Sequence, residues 1–194
     1  MRFDLLFDDL ENQLETQLDA DAAQQRVEEE RLRAARTSLR ERLAALMRGS
    51  AAGIRMRLVD GSTIEVAPTA VGADWLAGEL PGGAEAIVPV AAIASVSLSA
   101  AQARESRLRM PEPERPDLTA RLPIGVVLRD LSRRRVALDV LSAFEPAAVH
   151  GTIDRVGADH LDLAVHARGD ARREGNVVEH RVLALRAVAM VRVG

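Results

Sequence analysis

Two spacings of apolar residues divide this chain into a helical beginning and a strand-rich remainder. Between residues 3 and 48 apolar side chains recur at steps of three or four, which predicts a long amphipathic helix. A polar stretch at 19–26 interrupts the stripe, and Gly49-Ser50 supplies the stop. The stripe consists of Phe3, Phe7, Leu10, Leu14, Leu18, Leu32, Ala35, Leu39, Leu43 and Leu46.

Short alternating segments follow the helix and predict a first β module over 49–99. In 54–59 apolar and polar residues alternate, which is the period of a half-buried strand. Asp60-Gly61 marks a tight hairpin, and Pro81-Gly82-Gly83 marks a later turn. The predicted strands of this module are 54–59, 63–66, 75–80, 86–90 and 93–98.

A predicted linker over 100–121 separates this module from a second one over 122–194. A helical turn or two is expected in 100–110, followed by an extended, semi-stiff stretch from Pro111 to Pro116. The second module begins with a predicted helix at 124–135. Its predicted strands are 136–141, 149–155, 159–165, 177–183 and 188–193.

The two modules share a repeated phrase. Val71-Gly72-Ala73-Asp74-Trp75-Leu76 returns, with His in place of Trp, at 156–161, and the apolar segment 90–96 returns at 185–191. Two landmarks in the same order indicate a duplicated unit. The second copy has about ten extra residues between its landmarks, which the sequence places in a polar loop at 167–176.

The second module also carries two short motifs. The first consists of Gly151-Thr152-Ile153, Val156 and Asp159, continued by the apolar-acid-apolar triplet 161–163, and the second is Leu185-Arg186-Ala187. These residues resemble the two motifs of the Sm-like (Hfq/LSm) proteins, which are small SH3-type barrels. The resemblance implies a helix followed by a five-stranded bent sheet, and an RNA contact at Arg186.

The fold class expected from these patterns is α+β. We predict a long N-terminal helix followed by two tandem five-stranded Sm-like/SH3-like β-barrels, each preceded by a helix. With its acidic beginning, VLRDL at 127–131 and GTIDRVG at 151–157, the whole chain also resembles an actinobacterial family sometimes labelled Fis-type regulators. No helix-turn-helix pattern accompanies that label.

Composition narrows the chemistry that is open to the chain. Its 194 residues contain no Cys, which excludes disulfides and thiolate sites, and all 26 basic residues are Arg. The net charge of −3 is far from the basic footprint of a typical nucleic-acid binder. We see neither a signal peptide nor an apolar run long enough to span a bilayer, so we expect a cytoplasmic protein.

Charge is segregated along the predicted helix. Residues 1–30 contain ten acids and two Arg, whereas residues 31–48 contain six Arg and one Glu. That order suits antiparallel pairing of two copies as a coiled coil, and it equally suits a helix that packs on the following module. A membrane-surface role is disfavoured because helices of that kind carry basic residues on their polar face.

Eight residues are candidates for a partner or nucleic-acid contact. Seven are arginines of the second module, which can bind phosphate or an acidic partner, or can simply cap a helix and decorate a loop. The eighth is Trp75, which the sequence favours as a core or inter-module contact, with a binding hot spot as the alternative. The arginines are Arg133, Arg134, Arg135, Arg168, Arg172, Arg173 and Arg186.

No catalytic motif is present in the sequence. His160, Asp162 and His166 share a strand face, but the two imidazoles would lie about 20 Å apart on an ideal strand, so we predict neither a metal site nor a cofactor. We therefore expect a non-enzymatic protein-interaction or regulatory module that dimerises or docks through its N-terminal helix. The alternative is an Sm-like RNA- or DNA-binding regulator that uses the second-module arginines.

Overall fold

The computed structural model of the chain describes residues 2–49, 53–107 and 118–194. The described residues form an α+β fold with four α-helices and one ten-stranded antiparallel sheet, which confirms the predicted class. The chain divides into two compact units, residues 1–38 and residues 39–194. The predicted extended stretch from Pro111 to Pro116 lies entirely outside the described residues.

The first predicted helix is two helices in the structure, α1 (Arg2–Arg36) and α2 (Leu39–Gly49). The apolar stripe runs on through the break, so periodicity alone did not reveal it. At the break the Thr37 hydroxyl donates to the carbonyl oxygen of Arg33 at 2.9 Å. Local bonds of this kind, made by Ser and Thr side chains, compete with regular helical bonding. The two later helices are α3 (Ala100–Glu105) and α4 (Ile124–Arg133).

The ten strands follow the predicted segments closely, with boundaries that differ by a residue or two except in β2, which continues five residues beyond its predicted end. Their order across the sheet is β5-β1-β2-β3-β4-β10-β6-β7-β8-β9. The strands are β1 (Ile54–Leu58), β2 (Thr63–Val71), β3 (Trp75–Glu79), β4 (Glu85–Pro89), β5 (Ile93–Ser97), β6 (Ala137–Ser142), β7 (Val149–Val156), β8 (His160–Val165), β9 (Glu179–Ala184) and β10 (Val188–Val193).

The sheet consists of two halves with the same internal order. In the first half the fifth strand lies beside the first, giving β5-β1-β2-β3-β4, and the second half repeats this as β10-β6-β7-β8-β9. Each half has its helix packed on its second strand, α2 on β2 and α4 on β7. One antiparallel pairing, β4 with β10, joins the halves into a continuous sheet, and β5 and β9 are left at the two edges.

Two apolar clusters form the core, and each takes residues from both halves. The first cluster is built around α2 and the first half, and it also contains Ala189 and Met190 of β10. The second is built around α4 and the second half, and it also contains Trp75 and Ile87. Side chains therefore cross the β4–β10 junction in both directions, which makes that junction part of the core.

Candidate interaction surfaces

The repeated phrase forms the same turn in both halves. The amide of Gly72 donates to the carbonyl of Trp75 at 2.8 Å, and the amide of Gly157 donates to the carbonyl of His160 at the same distance. A Cβ on either glycine would collide with the ring that follows three residues later. The phrase therefore requires glycine because the Trp75 and His160 rings lie directly over these positions.

An arginine of the preceding helix reaches each of these turns. Arg40 of α2 donates from Nε to the carbonyl of Gly72 at 2.7 Å, and Arg129 of α4 donates from Nη2 to the carbonyl of Gly157 at 3.1 Å. Arg40 also donates to the carbonyl of Ala120 at 2.9 Å. The repeated unit is thus a helix with five strands, tied together by a helix arginine.

Trp75 lies at the junction of the halves and is only 4% exposed. It belongs to the second apolar cluster, although β3 is in the first half. Its Nε1 donates to the carbonyl of Leu122 at 2.8 Å, and the neighbouring Asp74 accepts from the amide of Ile124 at 2.7 Å. The side chain therefore packs between the halves, as the core interpretation predicted, and it is not available as an exposed contact.

Four of the seven candidate arginines hold carboxylates of their own chain. Arg134 pairs with Asp130 at 2.8 Å, one turn earlier on α4. Arg172 makes two hydrogen bonds to Asp154, at 2.8 and 2.6 Å, and Arg135 reaches the same carboxylate at 3.2 Å. The remaining one, Arg168, bonds the buried Asp139 at 2.7 Å.

The other three candidates, Arg133, Arg173 and Arg186, are exposed and make no ion pair with the described part of the chain. Arg133 lies in the last turn of α4, where a cation is favoured by the helix dipole. Arg173 lies in the loop between β8 and β9, and Arg186 lies in the short turn before β10. The structure does not gather the seven arginines into one common cluster, since the four that form ion pairs are distributed over Asp130, Asp139 and Asp154.

A buried carboxylate that the sequence analysis missed organises the second half. Asp139 of β6 is 2% exposed and accepts from Arg168 in the β8–β9 loop and from Arg192 in β10, at 2.7 and 2.6 Å. His150 Nδ1 of β7 lies 2.8 Å away, and it must carry a proton because a carboxylate only accepts. One side chain therefore links three strands and the long loop.

This arrangement keeps Asp139 ionised. Burial by itself raises the pKa of the carboxyl, but the hydrogen bonds from Arg168, Arg192 and His150 outweigh it and lower the pKa to about 2. The pKa of Asp154 is also lowered, first of all by its hydrogen bonds from Arg172. Both carboxylates anchor the loop, through Arg168 and Arg172. The loop that the sequence marked as an exposed contact is therefore attached to the sheet at two points.

An apolar groove of about 400 Å³ lies between α2 and the edge strand β5. Its helix side is lined by Leu39, Leu43 and Leu46, and its strand side includes Val96. Arg42 also lines it, and the buried Nε of Arg42 has no hydrogen-bond partner among the described residues. The sequence did not indicate this groove, because it depends on how the helix packs beside an unpaired edge.

The histidines do not assemble a metal centre. His160 pairs with Asp159 at 2.9 Å, whereas His166 is buried and bonds Thr152 at 2.9 Å. Among the residues that the structure describes, no group of three or more His, Cys, Asp or Glu is placed to hold a metal ion. Within the same residues, no helix combines the length and apolar character needed to cross a membrane.

We compared the chain with protein families, curated proteins and solved structures. The chain matches no protein-family model, no curated protein and no solved structure.

Proposed function

We propose that this chain is a non-enzymatic cytoplasmic protein-interaction module, in which α1 docks a protein partner or a second copy. Its sheet would form two tandem small barrels of the Sm-like/SH3-like type, each with a leading helix. The observation that carries the proposal is the exposure of apolar side chains on α1. Leu14 and Leu18, one turn apart, are 58% and 60% exposed.

The two compact units differ in the exposure of their leucine and valine side chains. The sheet unit buries most of these side chains in its two clusters, whereas α1 also exposes Val27 and Leu32 by half. Exposed apolar side chains on a helix gain stability when a partner covers them, at roughly 25 cal/mol per Å². An apolar stripe flanked by segregated charge supports a helical docking element.

The proposal is tested by pull-down from a lysate of the source cell, with nuclease present. The full chain is compared with the double variant Leu14→Gln and Leu18→Gln, which retains helix-forming residues and replaces two exposed leucines of the apolar stripe. We expect the captured proteins to survive nuclease and to be lost with the double variant. Gln17→Ala, which changes an exposed polar residue between the two leucines, is the matched control and should capture the same proteins.

The alternative function, RNA or DNA binding, draws on the exposed Arg133, Arg173 and Arg186. It predicts a capture that vanishes with nuclease and an affinity that falls steeply with salt, because phosphate contacts release counterions. Capture of this kind that is unaffected by the leucine substitutions would contradict docking through α1.

A further inference from the structure

At the β4–β10 junction, a strand of the first half covers β10, which is the fifth strand of the second half. On β10, Val188, Ala189, Met190 and Val191 are all buried, and Ala189 and Met190 pack into the core of the other half. The incoming strand β4 contributes Ile87, which pairs with Val191 and is 8% exposed. Trp75, the neighbour of β4 on β3, completes the cover against α4.

The corresponding surfaces of the first half lie at an edge of the sheet, where no other described strand pairs with them. The repeat aligns β10 with β5, so that Ala189 corresponds to Ala94 and Met190 to Ser95, both of which are exposed. Among the described strands, β5 pairs with β1 and with no other. The groove beside α2 lies at this edge, and it includes the unsatisfied Nε of Arg42.

The strand that corresponds to β4 is β9, which lies at the opposite edge of the sheet. Within the part of the chain that the structure describes, β9 pairs with β8 alone. The residue equivalent to Ile87 is Val182, which is 69% exposed, and the residue equivalent to Trp75 is His160. An apolar side chain on an open strand edge is a position that folded proteins usually protect or pair.

We propose that β9 of one copy pairs with β5 of a second copy, in the register that β4 uses on β10. Val182 would then lie opposite Val96, as Ile87 lies opposite Val191, and Arg181 would lie opposite Ser97. Val182 and His160 would cover the groove between α2 and β5 of the neighbouring copy. This assembly is independent of the docking proposed for α1.

One copy contributes β9 to the interface and its neighbour contributes β5, so the interface is heterologous. Such an interface leaves one β5 and one β9 free after every addition, and it extends until the chain of subunits closes into a ring or forms a filament. The solution mass is therefore expected to exceed the 21.0 kDa of one chain by at least a factor of two.

The test is light scattering of the full chain and of surface variants. Val182→Arg places a charge at the proposed contact and should lower the mass, because it blocks β9. Val178→Arg is the matched control: Val178 is 78% exposed but lies just before β9, outside the proposed register, so the mass should stay that of the wild type. Equal masses for wild type and Val182→Arg would overturn the proposal, as would a monomeric wild type.

A second variant distinguishes blocked pairing from damaged folding. Ala94→Arg alters an exposed residue of β5 and blocks the other surface. Val182→Arg keeps a free β5, and Ala94→Arg keeps a free β9, so an equimolar mixture should form a complex about twice the mass of either variant alone. Failure of the mixture to gain mass would overturn the pairing, and neither variant changes the leucines of α1.

Discussion

The two halves of the sheet have the same strands in the same order, yet three equivalent positions on their first, second and fifth strands have different environments. In the second half Asp139, His150 and Arg192 occupy neighbouring strands, and Arg168 of the long loop bonds the Asp139 carboxylate. The corresponding residues of the first half are Arg55, Glu65 and Ser97, and all three are exposed. The longer loop of the second half thus adds Arg168 to an ion-pair cluster around a buried carboxylate, where the first half has a solvent-facing patch.

The duplicated unit combines framework positions, which are the same in both halves, with divergent positions, which differ between them. The helix arginine, the glycine turn and the strand order are the same in both halves. The loop, the ring over the turn and the charges across the first, second and fifth strands differ. Substitutions at the shared positions are therefore expected to differ less between the halves than substitutions at the divergent positions.

The largest inequality is expected at the ring over the turn. Trp75→Ala should lower the free energy of unfolding by about 4 kcal/mol, because it empties a buried site between the halves and removes the bond to Leu122. His160→Ala should cost less than about 1 kcal/mol, since that ring is partly exposed. Chemical denaturation followed by circular dichroism measures both values, and similar costs would contradict the comparison.

The next inequality is expected between Asp139 and Arg55. Asp139→Asn retains the size of the side chain but leaves Arg168 and Arg192 without a charged acceptor, which should cost about 3 kcal/mol. Arg55→Gln, at the matching exposed position, should change stability by less than about 0.5 kcal/mol. Denaturation at neutral pH compares the two variants, and a small effect of Asp139→Asn would show that the cluster contributes little.

Acid titration tests the contribution of the Asp139 carboxylate to stability in a second way. Because the pKa of Asp139 in the folded protein, about 2, lies below the ordinary 3.8, its ionisation stabilises the fold above about pH 4. That contribution, about 2 kcal/mol, is lost as the pH falls towards 2. The stability of the wild type should therefore fall over this range more steeply than that of Asp139→Asn, and parallel curves would contradict the assignment.

A smaller difference is expected at the shared helix arginine. Arg40→Ala removes bonds to two backbone carbonyls and should cost about 2 kcal/mol. Arg129→Ala removes one longer and more exposed bond and should cost about 0.5 kcal/mol. Denaturation midpoints measure both changes. A larger cost at Arg129 would mean that the second half depends more on this link than its geometry implies.

Local patterns predicted the strands well, because period-two alternation and turn residues such as Asp60-Gly61 are encoded within a few positions. The break at Thr37 was missed because the leucine stripe continues through it. The β4–β10 junction was beyond local patterns, since it joins strands about a hundred residues apart and depends on tertiary packing. The repeat nevertheless identified which positions of β5 and β9 are equivalent to those of β10 and β4 at the junction.

The candidate site was predicted less well. The sequence marked the loop arginines as contacts, but the carboxylates that hold Arg168 and Arg172 lie 29 and 18 residues away. One signal was present: Asp139 is a single acid between Leu138 and Val140 in an apolar strand, and a buried charge requires a partner. For Trp75 the interpretation as a contact between modules agrees with its position.

The exchange of side chains across the β4–β10 junction also constrains how the sheet unit comes apart. Trp75 and Ile87 complete one core, and Ala189 and Met190 complete the other, so separating the halves opens both cores to water at once. We therefore expect residues 39–194 to unfold cooperatively on heating, with one melting transition for both halves. Two similar halves would then behave as a single thermodynamic unit, in keeping with the one compact unit that they form.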